Sequence, residues 1–520
     1  MFAKRLGTFV AAAMLSVVSG AALAQQYSYP PSLSSETRKY FNEHPQEFQQ
    51  FLQRFSQPLN QFARGTQLPP GAVPAAGTWT ALVHPAPANL TNPVLLTDGT
   101  VLAHVGCGSS WYKLTPDSTG SYINGTWTQA ASTTSAYTPL YFGSGVLPDG
   151  RLIMMGGEYN LVNGTCTTVD STQGAIYDPV ADSWTPMSPP SGWGRIGDAA
   201  GVVLPSGTYM QTSCCDNPAD AALLNPNTLT WTQTGTGKFD PYDEEAMALL
   251  PDGTVLTADA YTQTGTCGTG SERYDPATGA WSSAGSTIAQ QSDCSGKKSY
   301  EVGPLVVRPN GTAVSFSGVT TGAPQAAIYN GSWSAGPFHP SAGGVPYTMA
   351  DAPAAVLPNG NVLVAMSPSN WATQSSFPTP THFFELDLAT NTFTQVADKS
   401  DAAGAASYEY NFLVLPTGQI MAMGAGIVEI YTASGTYQSA WQPTITSVPP
   451  SVALGQTYSI SGTQFNGRTE GAYYGDDVTA SAHFPLVRIT NNATGHVFYA
   501  RTTNHSNRSI AAGVATSTNF

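Results

Sequence analysis

One four-residue phrase recurs along the chain and constrains its fold more than any other feature. It reads Leu96-Thr-Asp-Gly99, Leu147-Pro-Asp-Gly150, Leu204-Pro-Ser-Gly207, Leu250-Pro-Asp-Gly253, Arg308-Pro-Asn-Gly311, Leu357-Pro-Asn-Gly360 and Leu415-Pro-Thr-Gly418. A short run of small or apolar residues precedes each copy, and another, such as Arg151 to Gly157, follows it. Strand, tight turn with glycine where φ must be unusual, strand: each copy predicts a hairpin. A second phrase follows at a similar offset, as in Tyr177-Asp-Pro before Trp184, Leu224-Asn-Pro before Trp231 and Tyr274-Asp-Pro before Trp281. It predicts a third strand, a turn and a fourth strand anchored by an aromatic ring.

Start-to-start spacings run from 46 (Leu204 to Leu250) to 58 (Leu250 to Arg308). Four strands at a period near 50 are what a kelch-type β-propeller requires. The composition agrees: 52 Gly and 39 Pro in 520 residues, with few charges, suit many short strands and turns rather than helices. The expected fold is therefore all-β, a seven-bladed propeller over residues 78–443, closed by a strand at Gly77 to Ala81 or around Tyr437. Residues 1–24 read as a secretory signal, with Lys4 and Arg5, an apolar stretch from Leu6, and Ala22-Leu23-Ala24 as cleavage site. Between them, residues 25–77 hold a short helical segment, with Phe41, Phe48, Phe51, Phe55 and Phe62 at helical spacing and Pro45 at a helix start, then a Pro/Gly/Ala linker. Residues 444–520 alternate as in an immunoglobulin-like β-sandwich. Only 77 residues remain there, against the usual ~100, so its final strands are expected to be missing.

Export and an even cysteine count predict disulfides among Cys107, Cys166, Cys214, Cys215, Cys267 and Cys294, with the pairing open. Secretion or a periplasmic location follows, without a transmembrane span, since nothing approaches about 20 consecutive apolar residues. A formal charge of −14 argues against nucleic acid or an anionic membrane as partner.

The most informative pattern after the repeat is a set of acids. At the expected start of the innermost strand stand Asp198, Glu244, Glu301, Asp351 and Glu409, with Tyr141 in the same place one blade earlier. Five carboxylates converging on the propeller axis would repel unless a cation or basic ligand sat among them. Hard oxygen donors suit calcium rather than copper. The alternative is that each acid only accepts backbone N–H groups at its own blade end. Tyr137, Tyr242, Tyr300, Tyr347, Tyr408 and Trp193 lie nearby in sequence and could stack on sugar rings.

A signal peptide, seven kelch-like repeats and an immunoglobulin-like tail together resemble the galactose oxidase and glyoxal oxidase superfamily, and more closely its bacterial kelch-motif proteins. The segment Pro485 to His496 resembles the family strand that carries a copper-ligand histidine into the propeller mouth. The resemblance implies a copper-radical site built from a cysteine-tyrosine crosslink, a second tyrosine and two histidines, which together oxidise an alcohol or aldehyde. By position, Tyr408 matches the axial tyrosine and His496 the C-terminal histidine. Glu409 stands where the family has its other histidine, Asp198 has no neighbouring tyrosine for the crosslink, and Tyr141 has no neighbouring cysteine. The radical site is therefore expected to be absent.

The residues point first to an exported binding protein that holds a metal ion or a polar small molecule, such as a carbohydrate, at the propeller mouth. The other readings are a divergent oxidoreductase using Tyr408, Glu409 and His496, a hydrolase with paired carboxylates such as Asp351 and Glu409, or an adhesive protein. No GxSxG, HExxH or phosphate-loop motif adds to these.

Overall fold

The computed structural model describes residues 77–214, 220–242, 245–260, 269–293, 301–369, 377–387, 389–434, 439–475 and 480–520. The expected signal, the helical segment, Glu244, Cys215, Cys267 and Cys294 lie outside the described residues.

All seven recurring phrases form the same turn. The glycine N–H bonds back to the carbonyl of the first residue at 2.8–3.0 Å, and that residue's N–H bonds to the carbonyl just past the turn at 2.7–2.9 Å. The glycines have φ of 75–89°, a left-handed conformation in which a Cβ would be strained. The third residue often caps the turn, as where Asp149 Oδ1 accepts the Arg151 N–H at 3.0 Å.

Each turn joins the first two strands of an antiparallel sheet whose third and fourth strands carry the second phrase. The sheets are numbered in chain order. Sheet I has strands Thr91–Leu95, Val101–His104, Trp111–Thr115 and Thr126–Ala130. Sheet II has Gly143–Val146, Leu152–Met155, Gly174–Asp178 and Ser183–Met187. Sheet III has Gly201–Val203, Tyr209–Thr212, Ala221–Asn225 and Thr230–Thr234, and sheet IV has Ala248–Leu249, Val255–Ala258, Ser271–Asp275 and Ala280–Ser283. Sheet V has Leu305–Val307, Ala313–Ser315, Gln325–Tyr329 and Trp333–Phe338. Sheet VI has Pro353–Val356, Val362–Pro368, His382–Asp387 and Thr392–Gln395. Sheet VII has Tyr410–Val414, Ile420–Gly424 and Glu429–Thr432, and takes its fourth strand, Thr78–Ala81, from the other end of the region. That last pairing (Trp79 opposite Tyr431) covers the edge left by the last repeat.

The aromatic anchors pair across strands three and four: Tyr177 opposite Trp184, Leu224 opposite Trp231, Tyr274 opposite Trp281. They also fasten one sheet to the one before it, as Trp184 Nε1 donates to Ala131 O at 2.9 Å and Trp231 Nε1 to Ser188 O at 2.9 Å. First strands are buried throughout (Gly143–Val146), whereas fourth strands face solvent (Ser183–Met187). First strands of neighbouring sheets lie side by side, VII against both I and VI, and V against both IV and VI. This is a β-propeller-like arrangement.

The C-terminal residues form a three-stranded sheet (Thr444–Ser447, Ser459–Thr463, Ala515–Asn519) and a hairpin (Val487–Thr490, Val497–Ala500). They dock on the face where the hairpin turns lie, with Thr502 N–H on Thr97 O, His505 N–H on Pro148 O and Arg508 N–H on Pro205 O. One strand, Ala472–Tyr474, runs among the first strands instead. It pairs with Pro353–Val356 and touches the first strands of sheets V and VII. Among the described residues no helix is long and apolar enough to cross a membrane.

Candidate functional site

The heads of the first strands lie at the opposite end from the hairpin turns, and Tyr474 reaches them from the inserted strand. Its ring stacks on Tyr141, centroids 5.7 Å apart and planes 11° from parallel, and its hydroxyl donates to Tyr408 O at 2.6 Å. Tyr159 meets the Tyr141 ring edge-on at 6.1 Å. Leu140, Cys107 and Cys166 pack with this tyrosine cluster, with Tyr408 at its margin. Burial, then the adjacent Glu158 carboxylate and Tyr141, push the Tyr159 hydroxyl well above the ordinary phenol range. Tyr141, Tyr159 and Tyr474 are buried, while Tyr408, Asp198 and Asp351 are half-buried.

Tyr141 and Asp351 both adopt positive φ, 53° and 51°. A tyrosine there is uncommon and strained, which makes it a functional candidate. Asp351 is held by its own N–H on Val302 O, and the N–H of Gly475, next to Tyr474, bonds to Ala352 O at 3.1 Å. The inserted strand thus ends beside this acid.

The sequence-derived acids are placed differently from one another. Glu409 is buried and its Oε1 accepts the Ala406 N–H at 3.0 Å, capping its own 3-10 turn, Ser407–Glu409. Glu301 is buried, and Asp198 is half-buried. No three of Asp198, Glu301, Asp351 and Glu409 bring carboxylate oxygens within 4.8 Å of one another. Water or a ligand would have to span them.

His496 is exposed, at the end of a turn in which Asn491 N–H bonds to His496 O at 2.8 Å. The next residue, Val497, donates its N–H to Ser118 O, and Tyr499 packs on Gly99 of the first hairpin turn. This histidine therefore belongs to the hairpin-turn face, away from Tyr408. Pro485 to His496 is not the segment that enters the axis. Ala472–Tyr474 is, and it brings a tyrosine.

Cys107 and Cys166 form a disulfide with Cα atoms 5.6 Å apart, spanning 59 residues. Cys214 is disulfide-bonded as well, and among the described residues no cysteine is free. The Cys107–Cys166 bridge ties the second-to-third-strand loop of sheet I to the hairpin Tyr159–Val162/Thr165–Thr168 that supports the tyrosines. Replacing both cysteines with alanine should cost about 2–4 kcal/mol of stability and should loosen Tyr159 and Tyr141. Denaturant titration of the double variant checks the first effect, and tyrosine near-ultraviolet dichroism the second.

A second charged group was missed in sequence. Lys238, its side chain buried, forms ion pairs with Asp240, with Glu245 Oε2 at 3.0 Å and with Glu272 Oε2 at 2.6 Å. Its ammonium lies 5.3 Å from the Tyr242 ring centre and 5.5 Å from that of Trp281. Asp259 completes the set. Burial, reinforced by their mutual repulsion, holds Glu245 and Asp259 well above the usual carboxylate range. The acid run Asp240, Asp243, Glu244, Glu245 beside Lys238 was the available signal.

No protein-family model and no curated protein matches the chain. Among solved structures, a fungal alcohol oxidase of the AA5 family, in complex with copper, has a TM-score of 0.51 and 15% identity over 84% of this chain and 94% of its own. A streptogramin B lyase has a TM-score of 0.43 and 9% identity over 69% of this chain and 98% of its own. The first likeness supports a galactose oxidase-like β-propeller fold. At this identity it concerns the fold alone.

The residues at the head of the first strands do not fit a copper centre of the kind that fold implies. The tyrosine cluster and the acids named with it offer phenols, carboxylates and a disulfide but no histidine, whereas the implied centre sets its tyrosines beside two imidazoles. The histidine carried in the C-terminal region lies on the other face, and Glu409 is committed to its own backbone. Among the described residues, these groups assemble no ligand set for copper-radical chemistry.

Proposed function

We propose that the protein is an exported seven-bladed kelch-type propeller with an immunoglobulin-like C-terminal sandwich, and that it binds a small polar ligand, a carbohydrate, at the head of its first strands. The observation that carries this reading is the stacked pair Tyr141–Tyr474 at the head of the first strands, with Tyr408 and Asp351 half-buried beside it. Phe377 lies against Tyr408, ring centres 4.3 Å apart, extending the aromatic surface. An aromatic face beside carboxylate acceptors is the chemistry that recognises a sugar, apolar on its ring face and rich in hydroxyl donors at its edge. The carboxylates accept hydroxyl hydrogens, and Tyr408 stacks.

Saturation-transfer NMR against a panel of neutral mono- and oligosaccharides tests this. At least one sugar should bind with a Kd below about 1 mM, and Tyr408→Ala should weaken it roughly tenfold. A panel without binders, or binding indifferent to both Tyr408→Ala and Asp351→Asn, would sink the proposal. Copper-loaded protein should release no peroxide from galactose, glyoxal or primary alcohols. Peroxide production that disappears in Tyr408→Phe would favour the oxidoreductase reading.

A further inference from the structure

Sheets IV and VII contain the same charged device, which allows one to be read against the other. In sheet VII, Lys399 pairs with Asp401 at 2.7 Å, and the intervening Ser400 N–H bonds to Glu429 Oε2 at 2.9 Å. In sheet IV, Lys238 pairs with Asp240, and the intervening Phe239 N–H bonds to Glu272 Oε1 at 2.9 Å. Glu272 and Glu429 occupy matching positions: Tyr274 and Tyr431 stand two residues on, opposite Val255 and Ile420. Each lysine also lies over a tyrosine ring, Tyr242 in one and Tyr410 in the other.

The two sheets differ at two places. Counting from the hairpin turns Leu250 and Leu415, Glu245 stands where sheet VII has Tyr410, and Asp259 where it has Gly424. Tyr410 donates its hydroxyl to Asp401 Oδ1 at 2.8 Å and so completes that aspartate's shell. Sheet IV replaces this donor and this glycine with two carboxylates. One lysine then faces four acids, against two in sheet VII: its ammonium donates to Glu245 Oε1 at 3.2 Å, and Asp259 Oδ1 has no donor among the described residues.

Among the described residues, Asp240 Oδ2 and Asp259 Oδ1 are buried without any hydrogen-bond partner, and Glu245 Oε2 has only the Lys238 ammonium at 3.0 Å. Asp240, Glu245 and Asp259 each bring an oxygen to within 4.8 Å of the others. A calcium ion, 2.3–2.6 Å from each ligand, can span that separation, whereas magnesium at ~2.1 Å demands a tighter octahedron. Gly270 makes the room: a Cβ there would lie 2.3 Å from Asp259 Oδ2. Surplus buried charge of this kind needs a cation or protons to persist.

We propose that Asp240, Glu245 and Asp259 form a calcium site in the loops heading sheet IV, with Lys238 and Glu272 as its fixed neighbours. The site is separate from the tyrosine cluster and does not rest on the carbohydrate reading. Calcium there binds the folded state alone, so it stabilises by mass action.

The test uses the full exported chain, stripped with EGTA and titrated with calcium chloride alone. Melting temperature should rise by several degrees as calcium increases. Glu245→Gln with Asp259→Asn should abolish the rise, and the stripped double variant should melt at or above stripped wild type because repulsion is relieved. Glu301→Gln with Asp351→Asn, at the head of the first strands, should leave the rise intact. If the double variant does not fold, terbium chloride replaces the melt: terbium in the site should luminesce on excitation of Trp281 and Tyr242, and Asp259→Asn alone should weaken it at least tenfold. Melting indifferent to calcium, a rise that survives Glu245→Gln/Asp259→Asn, or terbium emission indifferent to Asp259→Asn would each overturn the proposal, leaving shared protons as the compensation.

Discussion

Arg508→Ala should destabilise the protein by about 3–5 kcal/mol, the usual cost of removing one member of a buried charged network. Arg508 is fully buried between the C-terminal region and the hairpin turns. Its Nε donates to His483 O at 2.9 Å, its Nη1 to Val146 O, and its own N–H to Pro205 O at 2.9 Å, while its guanidinium lies 5.2 Å from the Phe484 ring centre. Alanine keeps the backbone bond to Pro205 but strands the His483 and Val146 carbonyls and removes the positive charge that favours ionised Glu470. Glu470 is itself buried; its Oε2 accepts Leu249 N–H at 2.7 Å and Tyr473 hydroxyl at 2.9 Å. Since Tyr473 belongs to the inserted strand, loss of Arg508 should also loosen Ala472–Tyr474 and the tyrosine cluster. Limited proteolysis should cut the C-terminal residues first, and a variant as resistant as wild type would contradict the account.

The pH dependence carries a sign that can be checked in the same experiment. Burial raises Glu470 to about 7, against an ordinary value near 4.5. The folded state therefore holds this proton more tightly than the unfolded chain. The contribution favours folding most below the unfolded value and is lost as pH rises through the folded one, by about 3 kcal/mol in all. Glu470→Gln should flatten the stability profile between pH 5 and 8.

Lys238→Met should also cost about 3–5 kcal/mol at pH 8 in EGTA, where Asp240, Glu245, Asp259 and Glu272 would face one another with no ammonium between them. Methionine keeps the stem's packing, so the loss reports the charge. Glu245, Asp259 and Glu272 already titrate above their ordinary range, by burial first, and removing the lysine raises them further. Their protons are bound more tightly in the folded state, so stability recovers as pH falls through the folded values. The deficit should shrink markedly by pH 5. Chemical denaturation at pH 5, 6.5 and 8 decides it: a deficit equal at all three would mean that packing, not charge, was lost.

Much of the architecture was legible because it is encoded locally. A Leu-Pro-Asp-Gly turn carries its own hydrogen bonds, its Asp cap and its left-handed glycine within five residues, so each copy announces a hairpin wherever it occurs. Trp184, Trp231 and Trp281 mark fourth strands because a ring on an outer strand must bury itself on a neighbour. The closing strand was narrowed to two candidates, and pairing of Trp79 with Tyr431 selected the first.

The candidate sites were legible only in part, since they depend on contacts between segments far apart in the chain. Position along a repeat gave Glu409 a place at the head of its strand, but the 3-10 turn before it claimed the carboxylate. His496 and Tyr474 both lie in the C-terminal region. Which of them entered the axis was decided by strand pairing with Pro353–Val356, a contact no local pattern records. Lys238 and Glu272 are 34 residues apart and share a buried cluster only because the segment before sheet IV folds back onto that sheet's third strand. Turn chemistry acts over a few residues and is written in them, so the sequence alone determined the repeated hairpins and sheets. The stacking of those sheets decided which side chains meet, because the burial that makes a stacked tyrosine or an unpaired carboxylate consequential exists only once the sheets have closed around them.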